Sequence, residues 1–168
     1  KIMTIRDCIA PDRNPKKPSI TLPKGSIDTH VHIFENHFPL FEGRGYNPPD
    51  STLEDLIHLH DTLGIDRVVF TQPSVYGVDN AAILKGMKEL NKKVPNKARG
   101  VCAIKMDATE NFLQELHDQG IRGVRLNLDN KGGMPLELSE ISRLEDKIKG
   151  FGWHLEYLFP GKDMVELE

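Results

Sequence analysis

Between Ile27 and Phe159, short apolar runs take turns with longer amphipathic stretches, and no hairpin signal joins any two of the runs. That alternation limits the fold more than any other feature. Antiparallel strands can be joined by a two-residue turn, whereas parallel strands need a crossover of a dozen or more residues, usually a helix. The runs are "IDTHVHI" (27–33), "DRVVFTQ" (66–72), "ARGVCAI" (98–104), "IRGVRLN" (121–127) and "GWHLEYLF" (152–159). Helices are expected over 51–63, 79–91, 109–120 and 138–150. Ser51 with Glu54 reads as a capping box for the first, and Asp79 as the cap of the second. Leu53, Leu56, Ile57, His60 and Leu63 form one apolar stripe. Gly64, Gly120 and Gly150 read as C-terminal stops. "GKDMVELE" (161–168) reads as the start of another helix. The pattern predicts parallel βαβ units and an α/β class.

Two architectures satisfy it, an α/β barrel and a doubly wound sheet. No Gly-x-Gly-x-x-Gly follows the first run, which speaks against a dinucleotide fold. A (β/α)8 barrel takes about 250 residues. This chain has 168 and stops near its fifth strand, so it is either part of a barrel or something smaller and open. Residues 1–25 hold four prolines and little periodicity and read as an extended arm. Its basic excess (Lys1, Arg6, Arg13, Lys16, Lys17 and Lys24 against Asp7 and Asp12) suits solvation better than a binding patch.

A net charge of −3 gives no reason to expect a nucleic-acid or membrane surface. There is no run long enough to span a bilayer, and no signal peptide is visible. Cys8 and Cys102 are far apart and lack metal spacing, so a buried thiol at Cys102 and a reducing cytoplasm are expected.

The chemistry concentrates in "SIDTHVHIFENH" (26–37). Residues two apart in a strand point the same way, so Asp28, His30 and His32 are expected on one face, with Thr29, Val31 and Ile33 on the other. Two imidazoles about 7 Å apart along a strand can bite one metal ion if other ligands join them. They can equally bind an anion or move protons, or simply be polar residues on a half-exposed strand. Arg125 and Asn127 share a face at the end of "IRGVRLN", and a guanidinium there suits a carboxylate or a rim ion pair. Arg122 falls on the opposite face. Ser74 and Gln72 end the second strand, where Ser74 can donate to a carboxylate or carbonyl. His60 reads as a packing residue, His58 and His117 as solvated, and His37 as a loop residue. The absence of Gly-x-Ser-x-Gly argues against a serine hydrolase.

"IDTHVHIF" resembles the first-strand signature of the amidohydrolase superfamily. "RGYNPPDSTLEDLIHLHDTLGIDRVVFTQPSVYGVDNAAIL", "IRGVRLN" and "GWHLEYLFPGKDMVEL" extend the resemblance to the branch of 2-pyrone-4,6-dicarboxylate lactonase and the sugar-lactone hydrolases and isomerases. The resemblance implies a (β/α)8 TIM-barrel fold, of which residues 26–168 would be the N-terminal part with about the first five βα units. It implies a hydrolase that opens a small carboxylated lactone by water attack on the carbonyl. His30 and His32 would be catalytic, and Tyr46, Ser74, Arg125, Asn127, Lys131 and Tyr157 would contact substrate. His154 lies on the strand face opposite Tyr157. The cofactor would be none, or one divalent ion, zinc first, on His30 and His32. The family's later-strand histidine and eighth-strand aspartate base have no counterpart in these residues, which points to part of a longer protein. Two other readings stay open: a metal-dependent decarboxylase of the same superfamily, and a non-catalytic half-barrel that binds acidic metabolites. An open half-barrel exposes two parallel edges that invite pairing, so such a chain should form a homo-oligomer or aggregate unless those edges are covered.

Overall fold

The structure, a computed structural model, describes residues 5–127 and 138–159. In chain order its elements are β1 (Arg6–Asp7), β2 (Ile27–Val31), β3 (Tyr46–Asn47), α1 (Leu53–Leu63), β4 (Arg67–Thr71), α2 (Ala81–Lys93), β5 (Ala98–Cys102), α3 (Glu110–Asp118), β6 (Ile121–Asn127), α4 (Ile141–Ile148) and β7 (His154–Leu158). The main sheet runs β2-β4-β5-β6-β7, every pair parallel. Spatial order therefore follows chain order and never reverses, which is barrel winding and not the doubly wound alternative.

The sheet is also curled. Laid flat, five strands at about 4.8 Å spacing would hold the outer two roughly 19 Å apart. Yet His30 just before the end of β2 and Glu156 of β7 approach to 3.7 Å through their side chains. Five strands thus form about half of a barrel wall, with a concave inner face. The convex face carries the helices, and between them lie the fully buried Phe70, Ile83, Met87, Leu113, Ile121, Leu126 and Leu144.

Two asparagines clip α2 to β5. Asn80 receives Ala103 N at 3.0 Å and donates to Ala103 O at 2.8 Å. Asn91 does the same with Ala98, at 2.8 and 3.0 Å. Each side-chain amide copies a strand partner, so the helix cannot slide along the strand it covers.

Helix ends differ from the expected ones for local reasons. The capping box of α1 is Thr52 with Asp55, one residue beyond Ser51 and Glu54. Ser51 is already taken, its N–H and C=O each paired with Phe34 at 2.8 Å. Helix α2 starts at Ala81, because the Asp79 carboxylate accepts Ala81 N at 3.0 Å and so ends the preceding turn. Gly64 stops α1 in the left-handed region, φ 78°. After α4 a tighter turn intervenes and the left-handed stop falls on Gly152, not Gly150. The helix expected over 161–168 lies outside the described residues.

The described part of the arm is tied down at Arg6, Asp7 and Arg13. β1 pairs in parallel with β3, Asn47 donates to Asp7 at 3.0 Å, and Arg13 reaches Asp55 at 3.3 Å and Asp50 O at 3.2 Å. It therefore straps the loop that carries Tyr46. No helix among the described residues is long and apolar enough to cross a membrane. Cys8 is exposed, and Cys102 is buried, which pushes its thiol up to about 12.

One backbone contact makes a stability prediction. A Cβ on Gly123 would sit 2.8 Å from the His154 ring and 2.9 Å from the His154 carbonyl oxygen. The ring can swing away, but the strand-paired carbonyl cannot. Gly123→Ala should therefore cost about 1–3 kcal/mol of stability, read as a lower urea midpoint. An unchanged midpoint would mean that β6 and β7 part easily.

Candidate active site

A bulge decides what β2 presents. Asp28 pairs with Val68 and Val31 with Phe70, three residues on β2 against two on β4. The extra residue reverses the alternation. Asp28 therefore does not share the histidine face, as strict alternation would have it. It turns to the helix side, where its carboxylate lies 3.1 Å from Nε2 of His60, a buried residue of α1. His60 is the packing residue expected from its place on the apolar stripe, now with a polar partner.

His30 and His32 stand together on the concave side, rings edge to face with centroids 5.1 Å apart. Nδ1 of His32 lies 2.7 Å from Thr71 O. A carbonyl only accepts, so Nδ1 carries the proton and Nε2 keeps its lone pair. Burial lowers His32 to about 4; the nearby Arg125 and His30 charges add to that, and the hydrogen bond to Thr71 opposes it. His32 is thus a neutral acceptor at neutral pH. Among the described residues no three His, Cys, Asp or Glu side chains are placed to share an ion. The histidine pair alone falls short of the four ligands zinc takes.

Arg125 projects from β6 with its Nη1 donating to Gln72 O at 3.1 Å. It is half-buried, which lowers its pKa, while Glu156 and Tyr46 offset part of that; an arginine stays charged regardless. Gln72, Ser74, Ala103, Arg125 and Asn127 line a small cleft where β4, β5 and β6 end. Ser74 follows β4 in a short 3-10 turn, Ser74–Tyr76, and hydrogen-bonds Tyr46. Burial raises the Tyr46 phenol against that bond, so it is a neutral donor. Its ring meets Phe34 edge-on, at 6.5 Å. The loop is anchored below by the buried Glu35, which takes Lys85 at 2.6 Å and His37 at 3.3 Å. His37 belongs to that anchor and not to the cleft.

A roomier groove lies between α3 and α4, lined by Glu110, His117, Lys147 and Phe151 among others. It sits on the outer helix layer, away from the histidine pair.

Two further expectations separate here. Tyr157 does not join the group. It pairs with Leu126, which is buried under the helices, and stands on the face opposite Arg125. His154 and Glu156 take the concave positions instead, opposite Gly123 and Arg125. Glu156 was not expected, although pairing "HLEYL" beside "GVRLN" with matched alternation points to it. Lys131 lies outside the described residues.

A model of the amidohydrolase family matches residues 27–165. The chain is 36% identical over 156 residues to the 2-pyrone-4,6-dicarboxylate hydrolase of Comamonas testosteroni, covering 92% of this chain and 50% of that protein. It is 34% identical over 141 residues to the 4-sulfomuconolactone hydrolase of Rhizobium radiobacter, covering 81% and 46%. A crystal structure of a probable 2-pyrone-4,6-dicarboxylic acid hydrolase from Acinetobacter baumannii with citric acid bound superposes with a TM-score of 0.75. That match has 29% identity and covers 85% of this chain and 52% of that one. The chain spans about half the length of the curated relatives it matches.

Proposed function

Since this chain belongs to the amidohydrolase family, we propose that the protein opens the ring of a small carboxylated lactone by adding water across its ester bond. The observation that carries this reading is a half-buried guanidinium, Arg125, beside a cleft lined by Ser74 and Asn127, on the same concave face as a neutral histidine acceptor. Guanidinium and carboxylate match in shape and charge, and pair most strongly away from water. The citric acid in the Acinetobacter baumannii structure is a carboxylate ligand of a relative and agrees with that chemistry.

In this reading Arg125 fixes the substrate carboxylate, and Asn127 supports it. Tyr46 and Ser74 donate to ring or carboxylate oxygens. Tyr157 is left out, since its strand face is the other one. His32 presents a lone pair at Nε2 that accepts a hydrogen bond from the attacking water and so orients it. With a pKa of about 4, His32 is too weak a base to deprotonate water at neutral pH. Its part is positioning, and the proton that the water loses ends on the departing ring oxygen. The water oxygen bonds to the carbonyl carbon, the ring C–O bond breaks, and the ring oxygen leaves with a proton as a hydroxyl or enol.

The test is ring opening, followed by acid release, on matched lactones with and without a carboxylate. The full-length protein should favour the carboxylated member by about a hundredfold or more in kcat/KM. Equal turnover of both, or turnover of neither, would end the proposal.

A further inference from the structure

Glu156 is the carboxylate that approaches the His30 ring. Its Oε2 lies 3.7 Å from His30 Nδ1 and its Oε1 4.0 Å from His154 Nε2. It is the cross-strand neighbour of Arg125 on the adjoining strand, and the two interact electrostatically. It thus reaches across the concave face from the last strand of the sheet to the first.

We propose that Glu156 is a positioning residue that holds the proton of His30 on Nδ1. The inference rests on reading this concave face as the active site. The argument is one of lone pairs. A neutral imidazole carries its proton on either nitrogen, and the partner of one nitrogen decides which. A carboxylate oxygen facing a bare Nδ1 would set two lone pairs against each other; facing Nδ1–H it attracts. The 3.7 Å separation is slightly longer than a hydrogen bond, and such bonds are often long before substrate arrives. Both side chains have room to close it, with 48% exposure at His30 and 26% at Glu156.

The consequence is symmetry between the two histidines. Thr71 O fixes the proton of His32 on Nδ1, and Glu156 fixes that of His30 likewise. Both Nε2 atoms are then acceptors, on rings 5.1 Å apart. Each can then take a hydrogen bond from water or from a protonated substrate oxygen.

The decisive measurement is the side-chain 15N spectrum of the full-length protein, with the His30 signals identified by their loss in His30→Gln. Nδ1–H at His30 is expected in the unaltered protein. Glu156→Leu should move the proton to Nε2, and Glu156→Gln, whose amide oxygen still accepts, should leave it on Nδ1. A proton on Nε2 in the unaltered protein, or no change in Glu156→Leu, overturns the proposal; the first of these needs no variant to fold. In kinetics, Glu156→Leu should lower kcat by about 10- to 100-fold with KM little changed, and Glu156→Gln should recover part of the loss. A protein that opens no lactone refutes the functional reading, while the spectrum still decides the role of Glu156.

Discussion

Replacing Arg125 with methionine is expected to lower kcat/KM for a carboxylated lactone about a thousandfold, almost all of it through KM. The guanidinium is half-buried, so a carboxylate bound to it gives up much of its own water. Hydrogen bonds to charged groups are worth about 1.5–3 kcal/mol each. Two of them, the number a bidentate pair makes, come to roughly 3–6 kcal/mol, and about 4 kcal/mol corresponds to three powers of ten. The loss should fall on KM because the carboxylate is held equally in the ground state and the transition state. Arg125→Lys keeps the charge but not the planar fork, and should recover only part of the loss. A lactone without a carboxylate supplies the control. Methionine fills similar space, so that substrate should turn over at nearly its original rate. An equal loss on both substrates would mean that Arg125 acts through its bond to Gln72 O, as a brace for the end of β4.

The second large effect concerns acid. His32 titrates near 6.5 when unfolded and near 4 in the folded chain, because burial disfavours its charged form. Between those values the unfolded chain binds a proton that the folded chain refuses, so stability rises with pH across that window. The contribution is complete above about pH 6.5 and is lost progressively as pH falls towards 4, amounting to about 3 kcal/mol. Below that it changes no further. Urea unfolding from pH 7 to pH 4, compared between the protein and His32→Gln, reads this directly. Other groups also titrate there, but they contribute to both curves. The difference between the curves should narrow by about 3 kcal/mol as pH falls. Parallel curves would mean that the ring reaches solvent whenever it is protonated.

Much of the wall of this site can be read along the chain. The stretch "IRGVRLN" is strand β6 from end to end, and Arg125 and Asn127 share a face because alternation is a local rule. The other four runs also become strands, with ends trimmed by a residue or two. Helix caps were legible in kind but not in position. Ser51 has the right chemistry to cap α1, yet a backbone pair with Phe34, 17 positions earlier, takes its N–H and C=O first.

Glu156 and Tyr157 show where local reasoning stops. Both follow from one alternating strand, and only the register with β6 decides that Glu156 faces Arg125 while Tyr157 faces the helix side. The bulge between Asp28 and Val31 is similar. It inserts one residue against β4 and sends Asp28 to His60, away from the histidines it follows in sequence. The order of strands and helices, their parallel sense and the one-sided placing of Arg125 and Asn127 are legible along the chain, because periodicity and chain connectivity are local. Three features arise only once the chain is folded: the curl that brings Glu156 to His30, the strap of the arm across the Tyr46 loop and the burial that keeps His32 neutral. The curl and the burial depend on the register and curvature of five strands acting together, the strap on the separate pairing of β1 with β3, and no single segment contains any of them.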